Sequence, residues 1–160
     1  MKLFVKIKHW QIFLAIVLPH YFGFVKDRLT LLIITTIYFA AFSIWLYSIS
    51  IIGQRKLSEF NLHQNTNYLI LSCSLLPLLY LIIMLNPAIN VIWYRIMMWF
   101  IGLGFLACWV YAIYFTSKTI KALDKQRVPK FKEYILIILG FIIWPIGIWF
   151  IQPKVNKICT

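Results

Sequence analysis

Acidic side chains are nearly missing from this chain: Asp27, Glu59, Asp124 and Glu133 are the only four carboxylates among 160 residues. All four fall in loops or at the edges of apolar segments. An ionisable group inside a membrane segment is the default mark of a proton relay or ion pathway. Its absence argues against proton- or cation-coupled transport. It argues equally against aspartyl intramembrane proteolysis and against metal-assisted hydrolysis, because Mg²⁺ and similar ions require carboxylate oxygens. Cysteine is also sparse. Cys73, Cys108 and Cys159 show no CxxC or Cys/His spacing, and two of them sit in apolar runs, so neither a disulfide framework nor a metal site is expected. There is no HExxH, GxSxG or phosphate-binding loop. The expectation is a non-enzymatic chain with no catalytic residue, cofactor or metal. Internal repeats and low-complexity stretches are missing too, and the longest polar connection, Gln54 to Asn67, is too short for a domain. Residues 1–160 read as a single helical transmembrane domain.

What the chain has in quantity is apolar surface. Hydrophobic residues make up 62% and charged residues 12%, against roughly half and about a quarter in a soluble domain. A soluble fold of this size has too high a surface-to-volume ratio to hide that much. The apolar runs are unbroken, whereas the strands of a membrane barrel alternate. The expected class is an all-α integral membrane protein, since lipid demands a backbone satisfied within each segment. The start, M-K-L-F-V-K-I-K-H-W, resembles the basic and apolar regions of a signal peptide, but P-H-Y-F-G follows in place of a small-x-small site, so the segment reads as retained.

Five hydrophobic segments follow: Trp10 to Val25, Leu29 to Ile52, Tyr68 to Leu85, a stretch within Ala88 to Ser117, and Tyr134 to Ile151. A span needs about 20 residues at roughly 1.5 Å each. The fourth stretch is too long unless Arg95 lies at the headgroups, leaving Ile96 to Ser117 to cross. Asn86 to Asn90 then forms a turn, with Trp93 and Tyr94 as interfacial anchors. With segments one to four spanning and a cytoplasmic N-terminus, 11 basic residues lie inside and 3 outside, leaving Lys154 and Lys157 to place. Placing segment one on the surface while the other four span gives 8 against 8, so segment one is expected to cross and four transmembrane helices precede the fifth segment.

The fifth segment is either a re-entrant hairpin or a kinked span. In W-P-I-G (Trp144 to Gly147) proline removes a donor and glycine permits a bend. Two arms, Tyr134 to Ile143 and Ile148 to Ile151, would then return the tail inside, and this hairpin is the preferred reading. A crossing helix kinked at Pro145 is the alternative.

The net charge of +12 fits the retention of Lys and Arg on the cytoplasmic side. Lys118, Lys121 and Lys125 recur at i, i+3 and i+7, so the fourth helix is expected to run on into the cytoplasm with a basic face. Arg127, Lys130 and Lys132 follow around Pro129. Such a connection suits the anionic inner leaflet or an acidic partner. Without interleaved aromatics it is a poor nucleic-acid surface. Gly104, Cys108 and Ala112 form a small-xxx-small row that Thr116 continues, suited to close helix packing within a bundle or between subunits. His9, Trp10 and Gln11 at one end and Gln152 and Asn156 at the other would form a polar cluster if segment five returns. His20, beside Pro19, reads as interfacial.

K-H-W-Q (Lys8 to Gln11), the connection S-K-T-I-K-A-L-D-K-Q-R-V-P-K-F-K-E-Y and the end P-I-G-I-W-F-I-Q-P-K-V-N-K-I together resemble a family of small, mostly uncharacterised multispan inner-membrane proteins of Bacteroidota. The resemblance covers the two ends and the order of segments, and it implies a bacterial inner-membrane location and a non-enzymatic role without functional residues. Some small multispan proteins of such bacteria accompany phage-defence operons, which adds a membrane-perturbing effector by analogy.

The leading expectation is action through assembly, as a homo-oligomer forming a pore with Thr35, Thr36, Ser43, Ser72 and Ser74 along a narrow path. The runner-up is an accessory or scaffold subunit that tethers a larger membrane or defence complex. A lipid-acting enzyme using His9 or His20 comes third.

Overall fold

The computed structural model describes residues 28–85 and 92–159. The first hydrophobic segment, with His9, Trp10, Gln11 and His20, lies outside the described residues, as does the Asn86–Asn90 turn. Five helices make up the described residues: α1 (Arg28–Ser58), α2 (Asn67–Leu85), α3 (Ile92–Lys125), α4 (Phe131–Ile142) and α5 (Trp144–Cys159). Two of them, α1 and α3, are long and apolar enough to cross a membrane. The third apolar helix, α2, is shorter at 19 residues and contains Pro77.

Each helix ends where the sequence changes character. After the apolar run of α1, R-K-L-S-E-F-N leads into a turn in which Asn61 adopts φ 55°. The Leu62 N–H donates to the Leu57 carbonyl at 3.0 Å, a left-handed C-terminal cap of a kind asparagine tolerates. Helix α3 runs unbroken for 34 residues through Lys118, Lys121 and Lys125, so the expected extension is present. It stops at Gln126, which also has positive φ (50°). The next helix starts after Pro129, where Glu133 reaches back to the Lys130 N–H at 2.9 Å, satisfying an otherwise orphaned first-turn donor.

One core runs through all five helices. It joins Trp45 and Ile49 of α1, Leu76 of α2, Ala112 and Ile113 of α3, Phe141 of α4, and Ile148 and Val155 of α5. Burial along α3 is uneven. Between Ala112 and Leu123 most of its side chains are buried, whereas Trp93, Trp99, Phe100 and Leu103 in its first half are exposed.

The fifth hydrophobic segment folds back on itself. A β-carbon placed on Gly140 would meet the Ile151 side chain at 3.1 Å. Eleven residues of one straight helix would separate these positions by roughly 16 Å. The two arms are α4 and α5, and the reversal is at Ile143 (φ −91°, ψ 47°). This corrects the expected role of W-P-I-G. Pro145 belongs to the first turn of α5, where a missing N–H costs little. Gly147 is helical, and it serves the crossing rather than the bend: a β-carbon there would lie 1.6 Å from the Gly140 carbonyl oxygen. The second arm is also longer than expected, continuing through Pro153 to Cys159.

Because Gly147 faces backbone and not a flexible side chain, Gly147→Ala is expected to force α4 and α5 apart, at a cost of about 1–3 kcal/mol or more. Gly104→Ala is the control, since its new methyl meets only Leu79 at 3.9 Å. Thermal unfolding in detergent should show a lower midpoint for the first variant and an unchanged or higher one for the second.

Candidate functional site

The polar side chains of the interior form a seam at one end of the bundle. Of the four buried polar residues of α1, Ser43, Ser50 and Gln54 lie seven and then four residues apart on one helical face, and Ser48 is buried off it. Ser50 Oγ and Thr116 Oγ1 share a hydrogen bond of 2.8 Å. One turn on, Gln54 Nε2 donates to Thr119 Oγ1 at 2.8 Å. Gln54 also accepts from the Gln64 N–H at 2.6 Å, so the same side chain fixes the loop after α1. Gly53 makes this approach possible, because a β-carbon there would sit 2.4 Å from the Thr119 methyl.

A second set of bonds ties in α5. Trp45 Nε1 donates to Gln152 Oε1 at 3.0 Å, and Gln152 Nε2 donates to Asn156 Oδ1 at 2.9 Å. Gln152 is fully buried, where an unpaired amide is costly. The Trp45 ring also stands edge-on to Phe141, with centroids 5.5 Å apart. Gln152 and Asn156 therefore join one another and α1, while their expected partners near the N-terminus lie outside the described residues. At the opposite end the helices meet mainly through rings, with Phe39 against Tyr80 at 4.4 Å and Phe105 at 5.3 Å.

The expected packing row points inward. Gly104 lies against Leu79 of α2, Cys108 is half-buried at the core, and Ala112 and Thr116 are fully buried. Sequence reasoning found that row but not the facing Ser50–Gly53–Gln54 set. The i, i+4 spacing of Ser50 and Gln54 was its one trace in the sequence, and it does not stand out beside Thr35, Thr36 and Ser48 on the same helix.

The basic connection forms a collar at the seam's end of the molecule. Lys118 lies over the Tyr114 ring, 5.9 Å from its centroid, within cation–π range. Lys121 pairs with Asp124 at 2.7 Å, and Arg127 pairs with Glu133 at 2.5 Å. Lys125, Lys130 and Lys132 are exposed. The hydrogen bond from Lys121 holds the Asp124 carboxyl below its usual range, aided by the charges of Lys121, Lys125 and Lys154. Lys154 on α5 is thus near the end of α3. For Glu133 the lowering comes first from Arg127 and then from the Lys130 N–H. The few carboxylates here serve to fix basic side chains, and the collar as a whole remains cationic.

Compared with known proteins, the chain matches no protein family, no curated protein and no solved structure.

The Trp45–Gln152 bond gives a direct test. Gln152→Leu keeps the volume but leaves the buried indole N–H without its acceptor, and it should cost about 1–3 kcal/mol. Adding Trp45→Phe should recover much of that loss, and a double-mutant cycle in detergent unfolding measures the coupling.

Proposed function

We propose that this chain is a non-enzymatic integral protein of the bacterial inner membrane that acts as an accessory or scaffold subunit. It crosses four times, with α4 and α5 as a re-entrant hairpin and the collar on the anionic cytoplasmic leaflet. The observation that carries this reading is how polar and apolar side chains are distributed. Trp45, Ser50 and Gln54 of α1 bond to Thr116 and Thr119 of α3 and to Gln152 of α5 in the interior. Large apolar side chains such as Trp93, Trp99, Phe100, Leu136 and Phe150 cover the exterior. Exposed apolar surface on this scale suits acyl chains and the helices of a membrane partner. The hairpin supports a cytoplasmic C-terminus, which gives 13 basic residues inside against 3 outside.

Two of the hydroxyls expected along a pore are spent on their own helices. Thr35 donates to the carbonyls of Leu31 and Leu32, and Ser74 donates to that of Ile70. A pore built from several copies, or a membrane-perturbing effector, is the second reading. One observation favours it: a cleft of about 390 Å³ between α1 and α2, lined by Ser43, Tyr47, Ser74 and Pro77, beside which the buried Ser43 hydroxyl has no hydrogen-bond partner.

Gentle extraction from the native membrane followed by mass measurement separates the two. Other chains retained at a fixed ratio are the expected result. A single multiple of 19.0 kDa that conducts ions in planar bilayers would instead establish the pore. A reporter fused after Thr160 should be active only in the cytoplasm, and activity on the far side would sink the re-entrant hairpin.

A further inference from the structure

A groove of about 330 Å³ runs between α4 and α5, at the lower end of the size of small-ligand clefts (about 300–1,000 Å³). Leu136, Gly140 and Ile143 form one wall, Ile151 and Lys154 belong to the other, and Ile120 of α3 contributes from behind. The Gly140–Gly147 crossing brings the two backbones together at one point, and the groove lies alongside that point. Lys154 is the one charged residue in a lining that is otherwise apolar. It lies about 10 Å along α5 from the crossing.

We propose that this groove binds one acyl chain of an anionic phospholipid, with its headgroup held at Lys154. The polarity sequence of the groove matches that molecule: apolar from the crossing to Ile151, then a cation at the level of the collar. Charge selects the headgroup. Asp124 is already engaged by Lys121 at 2.7 Å, so Lys121, Lys125 and Lys154 together outnumber the one carboxylate they surround. The sides of the groove are open to lipid, with Leu136 76% and Phe150 68% exposed. This assignment rests on the membrane reading above, but it concerns one retained lipid and not the general attraction of the collar to a charged leaflet.

Native mass spectrometry of the full chain, purified in neutral detergent and given equal phosphatidylglycerol and phosphatidylcholine, reads the site directly. The expected result is one phosphatidylglycerol retained in preference to phosphatidylcholine. Lys154→Gln should lower that preference about fivefold, the scale of one basic contact with an anionic headgroup, and Lys154→Arg should preserve it. Leu136→Trp, which fills an exposed wall, should displace lipid of either headgroup. Arg55→Gln, on α1 and exposed outside the groove, should leave the single retained lipid in place. Equal retention of the two lipids by the native chain, or unchanged retention in both Lys154→Gln and Leu136→Trp, would overturn the proposal. So would a lipid-free dimer, because a second copy would then fill the groove. Failure of the membrane reading shows separately, as absence of the chain from the membrane fraction before extraction.

Discussion

Two glycines determine the shape of the C-terminal third. At the crossing of α4 and α5 the Gly140 carbonyl oxygen occupies the space that a β-carbon on Gly147 would need. Backbone therefore packs directly on backbone, which only glycine allows. Because the arms meet there, α5 runs back along the bundle and delivers Gln152 to Trp45 and Lys154 to the neighbourhood of Asp124. A wider crossing would move both contacts. The polar tie to α1 and the clustering of charge at one end are downstream of a single steric condition.

The interior is divided by chemistry as well as by sequence. Toward the basic end the helices are joined by directed bonds from Trp45, Ser50, Gln54 and Gln152. Toward the other end they are joined by ring packing around Phe39. A directed bond in an apolar medium specifies register, because a shifted helix leaves its polar groups unpaired. Ring packing tolerates small displacements at lower cost. Register is thus set near the collar, and the far half follows it.

Much of the fold was legible because length and apolarity are local properties. The long apolar runs located α1 and α2, and the spacing of Lys118, Lys121 and Lys125 foretold the extension of α3. The reversal in the fifth segment was also readable, but its mechanism was not. The bend sits at Ile143, an unremarkable residue by type, while Pro145 and Gly147 lie within α5. A proline in a first helical turn and a glycine at a helix crossing look the same in sequence as a proline and glycine in a turn. The Ser50–Gly53–Gln54 seam was missed for a related reason: each residue is unexceptional alone, and only its partner on α3, 65 or 66 residues away, gives it meaning. Gln126 offered no signal, since glutamine has no preference for the positive φ it adopts.

The unbroken length of α3 has a consequence for its lysines. As one rigid rod, it fixes Lys118 and Lys125 about 10 Å apart along its axis, more than the screening distance of about 8 Å at physiological salt. On the proposed anionic leaflet, an upright α3 would stand the two ammonium groups at different depths of one electrostatic gradient, which no loop motion could equalise. There a change in ionic strength would reweight the inner and outer charges unequally, and the collar would act as a graded probe of the surface potential and not as a uniform patch.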